Sequence, residues 1–549
     1  MVVTNEVLEM FIKLLFFGIT YALPYVFPKL WMLSWVGLIP LIYTVIEKCS
    51  HISKKRAYFW GVTFGLGYFG VMFHWFINFY PMEFAGVTKQ IAALLVAVCW
   101  IGLSLVQALE FGFFTLIYRL IRPKKSNRLF CALTFAAFWV VFEWQQSLFW
   151  RGVPWARLSI TQSEAPFVLQ SASLFGNLFI TGLIVAVNAL LTVALMFARD
   201  RLRGVGIKAV LSSLKNKKTA VFALAALSVF LVNLTFGFIR TATCNVKSDT
   251  PIKAAVIQGN ISSLDKWGAT ALESLELYLD LTEECVNETS AELVVWPETV
   301  IPSAIGRYPS VMRRIASFSE RMDITLFVGA FDDVYTDEGE LMEYNAIYIF
   351  RPDGSISEDR YYKRRLVPFG EYTPMQTFVM TVLPVLDTFN IFNDPLDEGV
   401  GSQLFDTEYG KIGSLICFDS IYDTLVTESV RDGAQLLTLS TNDSWFSDSA
   451  AVYQHNRHAM IRAIENGRYV VRAASTGVSS VFTPTGEMLT EINPLTKGYS
   501  TVTAYALDHR TLYTYIGNIF AYLCVGYTAF LLSYVITLKI KRNIKKRAD

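Results

Sequence analysis

The chain has 549 residues, of which 53% are hydrophobic and only 17% charged. That length exceeds what one core usually serves, and that apolar share lies outside the range of soluble proteins of this size, so a membrane protein with two or more domains is expected. The formal net charge of +1 speaks against a nucleic-acid-binding domain, and seven widely spaced cysteines speak against a disulfide framework or a cysteine-rich zinc site.

Apolar runs near the length of a bilayer crossing, roughly 20 residues, lie at 10–26, 30–46, 58–80, 91–118, 129–148, 167–197, 220–239 and 513–538. The first two are split by Pro24 and Pro28 and read as a tight helical hairpin. The first carries Lys13 and lacks a small-residue cleavage site, so an anchor is expected rather than a removed signal peptide. Basic residues cluster in alternate loops: Lys48 to Arg56, Arg119 to Arg128, Arg199 to Lys218, and the tail from Lys539 to Arg547. With eight spans these four clusters fall on one side. The positive-inside rule then predicts two cytoplasmic termini and a long external segment, 244–510. The membrane runs also hold His74, Glu110 and Glu143, whose roles stay open at this point.

The segment 244–510 has mixed charge and short apolar runs. Strands are predicted at 252–258, 293–296, 324–331, 346–350, 412–417, 436–440 and 469–473, and helices at 269–288, 310–321, 421–432 and 451–466. Such alternation predicts an α/β domain. It divides the chain into a membrane domain of seven helices at 1–243, an external catalytic domain at 244–510, and an eighth helix with a basic tail at 511–549.

Three predicted strand ends carry reactive side chains. Glu298 ends Val294-Val295-Trp296-Pro297-Glu298, where Pro297 stops the ladder. Lys363 opens a string running to Pro368, Phe369, Gly370 and Glu371. Cys417 ends Ile412-Gly413-Ser414-Leu415-Ile416-Cys417, with Asp419 two residues on. Ligands of α/β folds gather at strand carboxyl ends. A carboxylate can take a thiol proton, an ammonium can favour thiolate and hold an oxyanion, and a thioester splits one acyl transfer into two easier halves. Each residue alone has an ordinary reading: a buried core thiol, a helix N-terminal acid, a solvated basic cluster. His455 and His458, three apart on a predicted helix, can face one metal, but no third ligand motif accompanies them, and a surface or packing role is expected.

Taken together, these motifs resemble the nitrilase superfamily and, within it, the apolipoprotein N-acyltransferases. The string from Lys363 to Glu371 is the most specific piece. Gln258-Gly259-Asn260 with Trp267, Asn442-Asp443 with Trp445-Phe446, Arg462 to Arg468, and Arg151-Gly152-Val153-Pro154-Trp155 match as well. The resemblance implies an α-helical membrane bundle of eight spans plus an extracytoplasmic nitrilase-like α-β-β-α sandwich. It implies Glu298 as base, Lys363 as oxyanion stabiliser and Cys417 as nucleophile. Glu371 would hold Lys363, with Trp267, Phe418 and Asp419 around the thiol. Two positions depart from the family pattern: Phe418 stands where Tyr is frequent and Asp419 where Glu is frequent. The implied reaction moves an acyl chain from a membrane phospholipid, through a Cys417 thioester, to the N-terminal amine of a diacylglyceryl-cysteine on an apolipoprotein. It needs no cofactor and no metal, and it belongs in a bacterial cytoplasmic (inner) membrane with the catalytic domain on the periplasmic side. The apolar stretch from Phe378 to Phe392 is too short to span a bilayer and is expected to lie on one as an arm or lid. The competing readings are a membrane-tethered amidase, and a transporter or sensor with an inactive external domain.

Overall fold

The computed structural model describes residues 2–48, 52–82, 87–121, 127–148, 153–199, 216–261, 271–377, 381 and 395–548. Trp267, Arg151, Gly152 and nearly all of the proposed apolar arm lie outside these residues. The chain forms two units, one of Met1–Ile77, Leu95–Ala242 and Asn518–Asp549, the other of Asn78–Leu94 and Thr243–Gly517.

The first unit is helical: α1 (Val2–Val26), α2 (Ile39–Lys48), α3 (Lys54–Met72), α4 (Lys89–Ile121, which begins in the second unit), α5 (Arg128–Gln145), α6 (Asn177–Arg199), α7 (Lys217–Thr243) and a C-terminal helix, Ile519–Ala548. Pro28 starts a 3-10 turn, Pro28–Trp35, which links α1 to α2. Among the described residues six segments are long and apolar enough to cross a membrane: Glu6–Val26, Pro28–Lys48, Lys89–Ile121, Asn177–Arg199, Lys217–Thr243 and Ile519–Lys545. The predicted runs 58–80 and 129–148 are helical but shorter. α3 opens on Lys54, Lys55 and Arg56 and stops at Met72, and α5 spans 18 residues with Arg128 and Glu143 within it.

Helices in this unit approach closely through glycine. A Cβ on Gly67 of α3 would meet Leu15 O of α1 at 2.3 Å, and one on Gly18 would meet Phe64 O at 2.1 Å. Close backbone approach is how helices gain packing where lipid gives no hydrophobic drive. Buried polar groups are satisfied locally. Glu143 accepts from Trp139 Nε1, Leu158 N and Thr181 Oγ1 at 3.0, 3.1 and 2.6 Å. Asn188 accepts from Leu38 N and donates to Ser34 O. Gln145 donates to Glu110 at 3.0 Å, and His74 Nδ1 lies 2.8 Å from Val71 O.

The second unit is built on two sheets. The first has seven strands: β1 (Pro251–Gln258), β2 (Leu293–Val295), β3 (Ile301–Ala304), β4 (Thr325–Tyr335), β5 (Leu341–Phe350) and β6 (Tyr361–Tyr362), closed by a late strand. The second has six: β7 (Leu404–Thr407), β8 (Gly410–Ile416), β9 (Leu436–Thr441), β10 (Val470–Ala474), β11 (Ser479–Phe482) and β12 (Met488–Ile492). The late strand, β13 (Gly498–Tyr505), returns to pair antiparallel with β1. β1, β2 and β4 run parallel, as do β8, β9 and β10. Alternate residues of both sheets face each other in one core: Ile252, Ala254, Val256, Leu293, Val295 and Phe327 meet Ile412, Ile416, Leu436, Val471 and Ala473. On its other face the first sheet packs against α8 (Ala271–Thr289) and α9 (Pro309–Met322), through Leu275, Tyr278, Val311 and Ile315. α10 (Asp423–Asp432) and α11 (Ala450–Asn466) connect strands of the second sheet. Every predicted strand and helix of this segment is present, with ends shifted by a few residues. The strands not predicted are β3, β6, β7, β11, β12 and β13.

Candidate active site

The ends of β2 and β9 are stitched together where Ser440 Oγ donates to Trp296 O at 2.8 Å. Beyond β2 the chain turns sharply at Pro297 and Glu298. Gly329 of β4 makes that turn fit, because a Cβ there would meet Pro297 O at 2.2 Å and Glu298 Cα at 2.8 Å. Glu298 is 4% exposed. Its Oε2 accepts from the backbone N–H of Asn442, just past β9, at 2.7 Å.

Lys363 follows β6, and its backbone N–H extends the ladder to Asn345 O of β5 at 2.8 Å. That register turns the side chain into the protein, where it is 1% exposed. Its Nζ donates to Glu298 Oε1 at 2.8 Å and to Glu371 Oε1 at 2.7 Å. Glu371 is fixed in turn by Val367 N–H, donating to Oε2 at 2.8 Å. Asn345 Nδ2 donates to Glu298 Oε1 at 2.7 Å and reaches Glu371 Oε1 at 3.4 Å. Burial opposes the charge of Lys363, but Glu298 and Glu371 outweigh it, with a smaller contribution from Cys417, and its pKa lies well above the ordinary lysine value.

Cys417 stands one residue past β8 with φ of 48°, a left-handed conformation uncommon for a side chain of this kind. Ser420 Oγ donates back to Cys417 O at 2.8 Å and closes the turn. Burial pushes the thiol pKa far up, the charge of Glu298 adds to this, and Lys363 pulls it down. Glu298, Lys363 and Cys417 therefore act on one another within one buried site.

Asp419 is fully buried and ties the Cys417 turn to the Lys363 string. Its Oδ1 accepts from Arg364 N and Arg365 N at 3.2 and 2.8 Å, and its Oδ2 from Tyr361 OH and Ile416 N at 2.9 and 3.2 Å. Burial pushes its carboxyl up to about 6, against the pull of Lys363 and these donors. Phe418 packs edge-on against Tyr422, with ring centroids 5.6 Å apart.

Sequence reasoning missed Asn345, which carries no motif around it, and Tyr361, which it quoted only as part of the lysine string. It also expected His455 and His458 at the surface or in packing; both are 1% exposed. His455 bonds to Asp443, which also pairs with Arg472 at 2.6 Å. Burial opposes ionisation of Asp443, but Arg472 and His455 hold its carboxyl far below the usual range. Donor atoms of Cys417, Asp443 and His455 lie within 4.8 Å of one another. Asp443 and one nitrogen of His455 already bond to each other, and the Arg472 charge repels a cation, so the cluster is a poor metal centre. Phe79, from the short segment of the first half that joins this unit, packs against Phe446 with ring centroids 5.8 Å apart and planes tilted by 57°.

Residues 253–511 match the sequence model of carbon–nitrogen hydrolases, and residues 17–190 match the N-terminal domain of apolipoprotein N-acyltransferases. The fold and the match define the second unit as a nitrilase-superfamily sandwich, carried on a chain with several apolar helices. Apolipoprotein N-acyltransferase of Geobacter metallireducens is 27% identical over 513 residues, covering 93% of this chain and 92% of that protein. The Nostoc enzyme of the same name is 28% identical, covering 90% and 93%. A Saccharomyces cerevisiae member of branch 10 of the nitrilase superfamily superposes at a TM-score of 0.37 and 21% identity, covering 49% of this chain and 95% of that one. The chain belongs to the apolipoprotein N-acyltransferase family.

Proposed function

We propose that this chain transfers a fatty acyl group from a membrane phospholipid to the N-terminal α-amine of diacylglyceryl-cysteine on apolipoproteins, through a thioester on Cys417. The observation that carries the reading is the buried Lys363 ammonium held between Glu298 and Glu371, in the site that also holds the thiol. Glu298 takes the thiol proton as sulfur attacks the ester carbonyl. Lys363 stabilises the oxyanion that forms, and Glu371 keeps Lys363 in place. Collapse breaks the ester bond, and Glu298 returns the proton to the departing lysophospholipid. The amine then attacks the thioester, gives its proton to Glu298, and the thiol is regenerated. Asn345 and Asn442 orient Glu298 through both of its oxygens.

In this reading eight helices cross a bacterial inner membrane, both termini are cytoplasmic, and the catalytic domain at 244–510 faces the periplasm. Seven helices at 1–243 and an eighth at 511–549 flank it. The basic loops support this topology. Trp267 and the apolar arm at 378–392 are proposed to border the lipid entrance.

Intact-protein mass spectrometry after incubation with phospholipid tests the proposal. A fatty-acyl mass increment is expected that is lost on hydroxylamine treatment and absent in Cys417→Ala. Hydrolysis of a small amide without any acyl-enzyme from phospholipid would favour a membrane-tethered amidase instead.

A further inference from the structure

β6 and the residue after it send two side chains inward, two positions apart, as alternate residues of an extended strand do. Lys363 turns in to Glu298 and Glu371. Tyr361, 1% exposed, enters the core between the two sheets, which also contains Cys417 and Ile416. Tyr362 between them faces the other way: its hydroxyl donates to Asp332 at 2.8 Å and its ring stacks on Tyr344. The ladder fixes this register, because Tyr361 pairs with Ile347, Tyr362 with Ala346, and the Lys363 N–H donates to Asn345 O.

The Tyr361 hydroxyl donates to Asp419 Oδ2 at 2.9 Å. Burial and the charge of Asp419 push its phenol well above the ordinary tyrosine value, so the hydroxyl keeps its proton and remains a donor. The other groups that donate to this carboxylate are backbone N–H groups. Ile416, just before Cys417, donates to Oδ2 at 3.2 Å, and Arg364 and Arg365, just after Lys363, donate to Oδ1 at 3.2 and 2.8 Å. One carboxylate thus grips the chain beside the thiol and beside the ammonium. Without Tyr361, its Oδ2 would keep only the longer bond from Ile416. The hydroxyl therefore fixes the plane of the carboxylate, and with it the offset between the Cys417 turn on the second sheet and Lys363 on the first. A displacement of about 1 Å between reacting groups can cost on the order of 10²-fold in rate.

Resting on the reading of Cys417 as nucleophile, we propose that Tyr361 is a positioning residue. By holding Asp419 from the strand that carries Lys363, it sets the separation of ammonium and sulfur at which the oxyanion is met. The test uses full-length protein in detergent with phospholipid as acyl donor. Tyr361→Phe keeps the ring in the core and leaves Asp419 its three backbone donors, so the variant is expected to fold. The kcat of acyl-enzyme formation is expected to fall by ~10-fold with KM for phospholipid unchanged. Tyr469→Phe is the control for a merely structural role. Tyr469 is 2% exposed in the same core, and its hydroxyl donates to Val246 O at 2.9 Å. Its loss is expected to lower the melting temperature about as much as Tyr361→Phe does and to leave kcat at the wild-type value. A loss of kcat in Tyr361→Phe no larger than in Tyr469→Phe overturns the proposal. A raised KM with wild-type kcat overturns it equally, because the hydroxyl would then serve binding and not alignment. Acyl transfer by Cys417→Ala would sink the nucleophile reading itself; wild-type kcat for Tyr361→Phe in a chain that still needs Cys417 sinks only this inference.

Discussion

The two units bury polar groups in different ways. In the helical unit Glu143, Asn188 and Gln145 are met by dispersed hydrogen bonds from their own and other helices and turns, and tight packing rests on glycines such as Gly18 and Gly67. In the sandwich unit an apolar core between the sheets surrounds opposed charges: Lys363 between Glu298 and Glu371, and Asp443 against Arg472. Buried ion pairs are weak devices for stability, because desolvation takes back most of their attraction. Their concentration at one set of strand ends points to chemistry, whereas the dispersed polar bonds of the helical unit point to helix register.

The largest expected effect breaks chemistry and leaves the fold alone. Cys417→Ala removes a buried thiol with small neighbours such as Ser420 and Thr441. Acyl transfer is expected to fall by at least ~10³-fold, as for removal of other nucleophiles, while the melting temperature stays close to that of the wild type. A thioester assay and a thermal melt on the same preparation check both halves. Unchanged turnover would mean that the charged cluster of the sandwich is only structural.

Lys363→Met is expected to harm both. It leaves Glu298 and Glu371 facing each other across Asn345 without the ammonium that now joins them. Removing one partner of a buried pair typically costs about 3–5 kcal/mol, read by denaturant unfolding. Glu143→Gln in the helical unit is the matching change. Its carboxylate accepts hydrogen bonds from the neutral groups of Trp139, Leu158 and Thr181, so its loss is expected to be the smaller of the two.

How much of this was legible in the sequence follows from the same contrast. The parallel strands β1, β2, β4, β8, β9 and β10 are covered on both faces, so they read as continuous apolar runs. β12 and β13 are half exposed and carry Thr, Ser and Glu, and β6 has two residues, so no run announces them. The string from Lys363 to Glu371 betrayed itself by its motif. Asn345 did not, because a strand asparagine gains its role only from the carboxylates that fold against it. The Asp443, His455 and Arg472 cluster draws on three elements up to 29 positions apart. Helical spacing of His455 and His458 suggested a shared face and hid the partner that one of them finds across the sheet.

Asp419 sharpens the comparison through pH. Burial pushes its carboxyl up to about 6, above the ordinary value near 3.8, so the folded chain holds that proton more tightly than the unfolded chain. By linkage its contribution to stability is fully present below about pH 4, falls as pH rises through the window up to about 6, and is level above it. Asp419→Asn removes the titration but offers one acceptor where the carboxylate accepted four donors. The variant is expected to be less stable at low pH, and the gap to the wild type is expected to narrow by on the order of 3 kcal/mol toward neutrality. Urea unfolding at several pH values measures the gap. A constant gap would assign Asp419 a purely geometric role in joining the Cys417 turn to the Lys363 string.

The smallest expected effect lies in the helical unit, and two glycines on one helix isolate it. A Cβ at Gly67 would strike Leu15 O of α1 at 2.3 Å, whereas a Cβ at Gly70 meets nothing within 4 Å. Both residues sit within α3, so both gain the same helix propensity from alanine, about 0.5–1 kcal/mol. At Gly70 nothing opposes that gain, and Gly70→Ala is expected to be neutral or slightly stabilising. At Gly67 the methyl has to push α1 and α3 apart, and overpacking of this kind costs about 1–3 kcal/mol. Gly67→Ala should therefore melt lower than Gly70→Ala in detergent. Equal melting of the two would mean that α1 and α3 are held by contacts such as the 2.7 Å hydrogen bond between the buried hydroxyls of Tyr25 on α1 and Tyr68 on α3, and that close backbone approach is a consequence of this packing and not its cause.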